Sequence, residues 1–495
     1  MRKTATAAVG RDIEFRWTTG HVVALAALCT AQLLEALDIT VVNIALPTLQ
    51  RDLGFSEHML QWVITAYTVC FGGFLLLGGR TGDRYGHRRV FVAGTAVFGL
   101  ASLACAIAPD AGLLVGFRGV QGVAAGFVAP MTLALLAMLF PEGRARTVAF
   151  TTWGITTAVS GSLGFVAGGL LVDGPGWRWI FAINPVICIA AIVAVLRFVP
   201  RDKPGRRGTF DLLGALSSTT AVALLVYGIA QIGAVAWYSP AVVIPLAATV
   251  ALLLFFFVHE ARTTAQPLIP PALWRIRPVR AANLVQMFIS GGIYALFYLV
   301  SLELQQLLGR DATQAGLALV PFSALLIVCA GAGPLLVRYI GFRGSITIGA
   351  AIGAAGLLLL AHTVTDSGTA TAVVLPSLVV AFGFALTFVP VTVAAVTGVP
   401  ADGQGVASGL VNVTRTIGGA LGLAVIAAIS SDRTTHLLHS GQAHTQALAA
   451  GYRTGFEVAA AVLLLAVVSA LVLFRDEGRG TRITMTAMTG ADQEG

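Results

Sequence analysis

Charge is scarce in this 495-residue chain, at 11% of residues, where a soluble globular domain carries about a quarter. Lysine is nearly absent, with only Lys3 and Lys203. Cysteine is sparse as well: Cys29, Cys70, Cys105, Cys188 and Cys329 all fall in apolar runs, with no spacing that suggests a metal site or a disulfide framework. No GxxxxGK[ST] loop occurs, which argues against a pump that hydrolyses ATP itself. Short alternating segments of the β-barrel kind are also missing. Each absence removes a class, and a polytopic all-α membrane protein is what remains.

What the chain does have is apolar length. Hydrophobic residues make up 57%, and runs of the roughly 20 residues needed to cross a bilayer recur from His21 to Phe474. Breaks between runs predict fourteen spans: 21–46, 58–79, 89–108, 112–138, 147–172, 178–199, 211–232, 238–259, 281–307, 315–337, 344–364, 370–398, 404–430 and 453–474. The basic start, MRKTATAAVGRDIEFRW, leads into a run too long for a cleaved signal, so the first span is expected to be an uncleaved anchor. With both termini cytoplasmic, 24 Arg and Lys residues fall on inside segments and 5 on outside loops. The positive-inside rule therefore places both ends in the cytoplasm. The same bias accounts for the net charge of +8 without a nucleic-acid partner.

A weak internal repeat is present. GRTGDRYGHRR at 79–89 follows the second span, and GPLLVRYIGFR at 333–343 follows the tenth. Gly, Arg-Tyr, Gly and Arg recur in order, with one residue inserted and Val337 in place of Asp83. The repeat predicts two six-helix halves, 21–200 and 261–475, an inserted helix pair at 201–260, and tails at 1–20 and 476–495. Paired halves of this kind are a transporter architecture, with the binding site near the midplane.

The chemistry concentrates in a few residues. LEALDITVVNIALP, residues 34–47, places Glu35 and Asp38 three apart on one helix face. A charge at mid-bilayer costs at least about 2.5–3.5 kcal/mol and marks a functional position. Desolvation favours the neutral carboxyl and a nearby cation the charged one, so a carboxylate between the two can exchange a proton. It could instead serve as a fixed structural ion pair or bind a cationic substrate. Arg118, deep in the fourth span, is the expected partner of Asp38. In the loop signature, Gly79, Gly82 and Gly86 would allow a tight turn, Asp83 would favour the start of the third span, and Arg84, Arg88 and Arg89 supply cations; a gating latch is expected there.

Further candidates lie elsewhere. The fifth span carries Gly154, Gly161, Gly164, Gly168 and Gly169, suited to close helix packing. Asn412 and Arg415 share a face of the thirteenth span, with Glu303 a possible partner for Arg415. Asn43, Trp62, Tyr67, Phe71, Trp153, Phe288, Tyr294, Phe297 and Phe388 are candidates to line a cavity. His436, His439 and His444 are expected to be a solvated group rather than a metal site.

These motifs resemble the major facilitator superfamily, and within it the fourteen-span drug:proton antiporters. LDITVVNIALP (37–47) resembles the first-helix motif and places its acidic residue on Asp38. GRTGDRYGHRR resembles the loop signature at Asp83, Arg84, Gly86 and Arg88, and LVGFRGVQGVAA the fourth-helix motif at Arg118 and Gly122. WRWIFAIN (177–184) and NVTRTIGGALG (412–422) are similar to stretches of the fourteen-span branch. Two departures stand out: Gly164-Phe165 where the antiporter motif has Gly-Pro, and Glu35, which is not a family hallmark. The resemblance implies the major facilitator fold with two extra central helices. It further implies a monomeric carrier, not an enzyme, that exports an amphipathic, often cationic compound across the cytoplasmic membrane, with the proton gradient as energy source and no cofactor or metal.

Overall fold

The computed structural model describes residues 17–141, 144–202, 211–231, 235, 238–262, 271–329, 332–365, 370–400 and 404–474. The tail expected at 476–495 and most of that at 1–20 lie outside them.

Every regular element among the described residues is helical. In chain order they are α1 (Thr19–Leu53), α2 (Glu57–Leu60), α3 (Trp62–Tyr85), α4 (His87–Ala106), α5 (Ala111–Leu139), α6 (Arg144–Asp173), α7 (Arg178–Ala182), α8 (Asn184–Phe198), α9 (Leu212–Gln231) and α10 (Pro240–Arg262). After a 3₁₀ turn (Pro271–Arg275) come α11 (Arg277–Leu302), a π-helical turn (Glu303–Leu307), α12 (Ala312–Cys329), α13 (Ala332–Thr363), α14 (Ala370–Val396), α15 (Gln404–His439) and α16 (His444–Leu473). Thirteen helical segments among the described residues are long and apolar enough to span a membrane, α7 and α8 together forming one. The fifth expected span coincides with α6, so each of the fourteen meets a helix. The chain is a multi-pass membrane protein.

It divides into two compact units. Unit 1 holds residues 1–223, 248–268 and 311–317, and unit 2 holds 224–247, 269–310 and 318–495. In unit 1, α1 packs on α5, α6 and α8, α3 on α5, and α4 on α5 and α8. One apolar cluster gathers Leu28, Phe91, Leu135 and Phe140, and another joins Leu34, Phe98 and Ala125. In unit 2, α11 packs on α15 and α16, and α13 on α14 and α16.

The two repeated basic segments are not loops. α3 runs helically through Tyr85 and α4 begins at His87, leaving Gly86 alone as the junction, at φ 96°. In the second copy, Gly341 at φ 71° is the one non-helical residue inside α13. A positive φ is readily reached only by glycine, and the repeat aligns these two glycines. Gly79 and Gly82 are helical rather than part of a turn. Hydropathy marks where hydrocarbon ends, and helical hydrogen bonding continues past that point.

The inserted pair carries its own polar clasp. Asp211 accepts from the Gly214 amide at 2.7 Å at the start of α9, and its Oδ1 lies 2.8 Å from His259 Nε2 near the end of α10.

Candidate functional site

α1 presents two faces inside unit 1. Leu37, Thr40 and Val41 lie against α6, where a side chain at Gly164 would overlap the Thr40 hydroxyl and one at Gly168 would press on the Val41 backbone. These two glycines therefore set how closely α1 and α6 approach. Gly169 instead faces the backbone of Thr313. Phe165, which stands where the resemblance calls for proline, is fully buried.

The other face of α1 carries Glu35 and Asp38 into the bundle, both buried. Arg118 of α5 meets Asp38 there as expected. Its Nη1 donates to Asp38 Oδ2 and to Gln121 Oε1, the latter at 2.8 Å, and its Nε donates to the Val63 carbonyl at 2.9 Å. The guanidinium sits 4.4 Å from the centroid of the Tyr67 ring, close enough for a cation–π contact. Arg118 is 0% exposed and Asp38 3%. A pair this deep is bought with desolvation, and removing one member strands the other.

The pair extends into a network that the sequence did not announce. Gln121 Nε2 donates to Asp38 Oδ1 at 3.0 Å and lies 3.4 Å from Ser102 Oγ. Ser102 accepts from Asn184 Nδ2 at 2.9 Å and donates to the Phe181 carbonyl at 3.0 Å. Uncharged polar residues recur at many positions in these helices, so only spatial convergence singles these out. Arg118 Nη2 is buried with no partner among the described residues, leaving one strong donor in reserve at the pair.

Glu35 stands apart. Neither carboxylate oxygen has a hydrogen-bond partner among the described residues, and the same holds for the Thr95 hydroxyl. Both residues line one small cavity.

The loop signature is organised differently from expectation. Asp83 does not cap α4; Asp202, beyond α8, accepts from the backbone amides of His87 and Arg88 and also lies 3.0 Å from His87 Nδ1. Asp83 instead faces His87 Nε2 at 3.1 Å. The Asp202 side chain is largely buried, which would raise its pKa, but the donated hydrogen bonds outweigh that and hold it below the usual value. Arg88 donates to the Leu196 carbonyl of α8, and Arg84 lies 5.4 Å from the Tyr85 ring. Asp202 is 114 residues from Arg88 in sequence, so no local pattern could have named it.

The remaining candidates disperse. Asn43 donates to the Ile39 carbonyl of its own helix at 2.8 Å, Trp62 is half-buried, and Trp153 packs against the cluster around Phe91 and Leu135. Gly161 lies within α6. In unit 2, Arg415 is not paired with Glu303: its guanidinium lies 5.9 Å from the Phe388 ring. Glu303 opens the π-helical turn, with Oε2 buried and without a partner among the described residues. Asn412 donates to the Ser408 carbonyl at 3.1 Å. No group of three or more metal-ligating side chains occurs among the described residues.

Comparison with known proteins follows the same lines. The family model for the Major Facilitator Superfamily matches residues 28–423. The cephamycin export protein CmcT of Amycolatopsis lactamdurans is 37% identical over 421 residues, covering 84% of this chain and 87% of that protein. The puromycin resistance protein pur8 of Streptomyces alboniger is 36% identical over 459 residues, 91% and 90% of the two chains. Among solved structures, the POT family transporter PepTSo superimposes with a TM-score of 0.67 over 92% of this chain and 99% of that one, at 15% identity. A bacterial homologue of the lysosomal transporter Spinster gives 0.65 over 92% and 98%, at 14%. At such identities these two speak for the fold alone.

Proposed function

The chain belongs to the major facilitator superfamily, and from that premise we propose that it is a proton-coupled exporter of amphipathic drugs or antibiotics. Its relatives include proteins named for cephamycin export and for resistance to puromycin and lincomycin. The observation that carries the proton-coupled reading is the Asp38–Arg118 pair, sealed inside unit 1 and braced by Gln121. Protonating Asp38 cancels the charge that holds Arg118 and releases it to new partners. A buried pair of this kind is a two-state element that a single proton can bias.

The exporter sits as a monomer in the cytoplasmic membrane with both termini inside, an orientation that the charge asymmetry supports. It alternates access between its two halves. The pH gradient supplies the energy and no cofactor is needed. The resemblance implies an amphipathic, often cationic substrate; a physiological solute such as a siderophore, amino acid or secondary metabolite is the alternative reading.

The test is efflux of ethidium in everted vesicles energised by an imposed pH gradient. Wild type should accumulate the dye, and Asp38→Asn, inserted at normal levels, should not. Equal pumping by the two would refute the assignment of Asp38.

A further inference from the structure

Two polar layers cross the interior of unit 1. One is the network of Asp38, Arg118, Gln121, Ser102 and Asn184. The other contains Glu35, Thr95 and Cys188, which line a common cavity. Glu35 lies one turn before Asp38 on α1, Thr95 two turns before Ser102 on α4, and Cys188 one turn after Asn184 on α8. α1 and α4 begin at the end of the bundle that carries the basic segments, and α8 finishes there. All three displacements therefore point the same way, and the Glu35 layer lies nearer the basic end.

The second layer is otherwise apolar, closed by side chains such as Leu34, Phe98 and Val128. Its cavity has room for about one water molecule. Drug-sized ligands need pockets of roughly 300–1,000 Å³, so in this conformation the cavity does not hold such a substrate against Glu35. Glu35 is 5% exposed, and no Lys, Arg or His lines the cavity. Cys188 is the one other titratable side chain in its wall, and Asp38 and Arg118 are the charged groups of the adjacent layer. A bare carboxylate in such surroundings costs several kcal/mol, whereas a carboxylic acid does not carry that penalty.

We propose that Glu35 is the inner station of a proton relay confined to the interior of unit 1, in series with Asp38. The inference rests on the proton-coupled reading above. In the transfer step protonated Asp38 is released from Arg118 and Gln121, its O–H bond breaks, and one forms on the Glu35 carboxylate three residues away on the same helix face. Asp38, now an anion, is recaptured by Arg118 and Gln121. Glu35 then gives the proton to water at the basic end. One proton moves and no electrons do. Asp38 is held in its ion pair and no cation lines the cavity of Glu35, the arrangement expected for the stage after transfer.

Two measurements test this. In purified protein in lipid nanodiscs, infrared spectra at neutral pH should show the carbonyl stretch of a protonated carboxylic acid. The band should persist in Asp38→Asn and lose intensity in Glu35→Gln. In everted vesicles, Glu35→Gln should lower pH-driven ethidium accumulation by about 10²-fold or more, with much less effect on exchange at equal pH, and Glu35→Asp should recover part of the driven activity. An unchanged band in Glu35→Gln, driven transport at the wild-type rate, or equal loss of driven transport and exchange would each overturn the relay. The two readings fail separately. Normal pumping by Asp38→Asn refutes proton coupling at Asp38. A dead Asp38→Asn beside a fully active Glu35→Gln refutes the relay alone.

Discussion

Arg118 Nη1 is shared between Asp38 of α1 and Gln121 of its own helix, while Gln121 returns its amide to the second oxygen of Asp38 at 3.0 Å. The three side chains close a ring in which the cation and the carboxylate each have two partners. Breaking the ring at either charge leaves the opposite charge buried. Asp38→Asn and Arg118→Gln should each destabilise the protein by about 3–5 kcal/mol. The double variant should be less destabilised than the sum of the two, because neither charge is then stranded. Thermal unfolding followed by size-exclusion chromatography in detergent gives all four corners of that cycle; simple additivity would mean that the pair is not coupled.

Gln121→Leu tests the brace alone. It removes a donor to Asp38 and an acceptor for Arg118, at an expected cost of about 1–3 kcal/mol. The ion pair itself remains, so pH-driven ethidium transport should fall less than in Asp38→Asn. Transport and stability measured on one preparation separate the two effects.

Gly164→Ala should impair the carrier, because the added methyl overlaps the Thr40 hydroxyl. Overpacking of this order costs about 1–3 kcal/mol. Thr40→Ala in the same chain removes the hydroxyl overlap but leaves its Cβ 2.8 Å from the added methyl, so it should restore part of the loss. Recovery by that second substitution, scored as membrane-inserted protein and as efflux, distinguishes a steric cause from a lost kink or a lost charge.

Asp202→Ala removes the cap of α4 and should cost about 0.5–2 kcal/mol. The carboxyl is held below its usual value in the folded protein, so the unfolded chain binds its proton more readily. The stability contributed is fully present above the ordinary aspartate value, about 3.9, and is lost as pH falls through the lower folded one. The gap between wild type and Asp202→Ala in thermal unfolding should therefore close as the pH falls into the acid range.

How much of this could be seen in the sequence depends on how costly each residue is in hydrocarbon. Asp38 and Arg118 were legible because a charge in an apolar run demands a reason, and the fourteen spans because apolar length is conspicuous. Gln121, Ser102 and Asn184 went unseen because uncharged polar side chains are tolerated in membrane helices, and their convergence is a property of packing. Glu35 was visible as a charge, but that no cation among the described residues lines its cavity was not. Asp202 escaped because its partners are more than a hundred residues away, and the proposed link between Arg415 and Glu303 failed because helix rotation cannot be read from spacing alone. The break at Gly86 was expected as a loop because hydropathy is blind to helix outside the membrane.

That break has a mechanical consequence. With one residue between α3 and α4 there is no slack to absorb a change in length, and each helical residue advances the azimuth by about 100°. One inserted residue after Gly86 would swing Thr95 and Ser102 away from the faces they occupy and part the His87 and Arg88 amides from Asp202. The junction fixes the register between α3 and α4 rather than tethering them loosely. The chain at this point cannot vary in count.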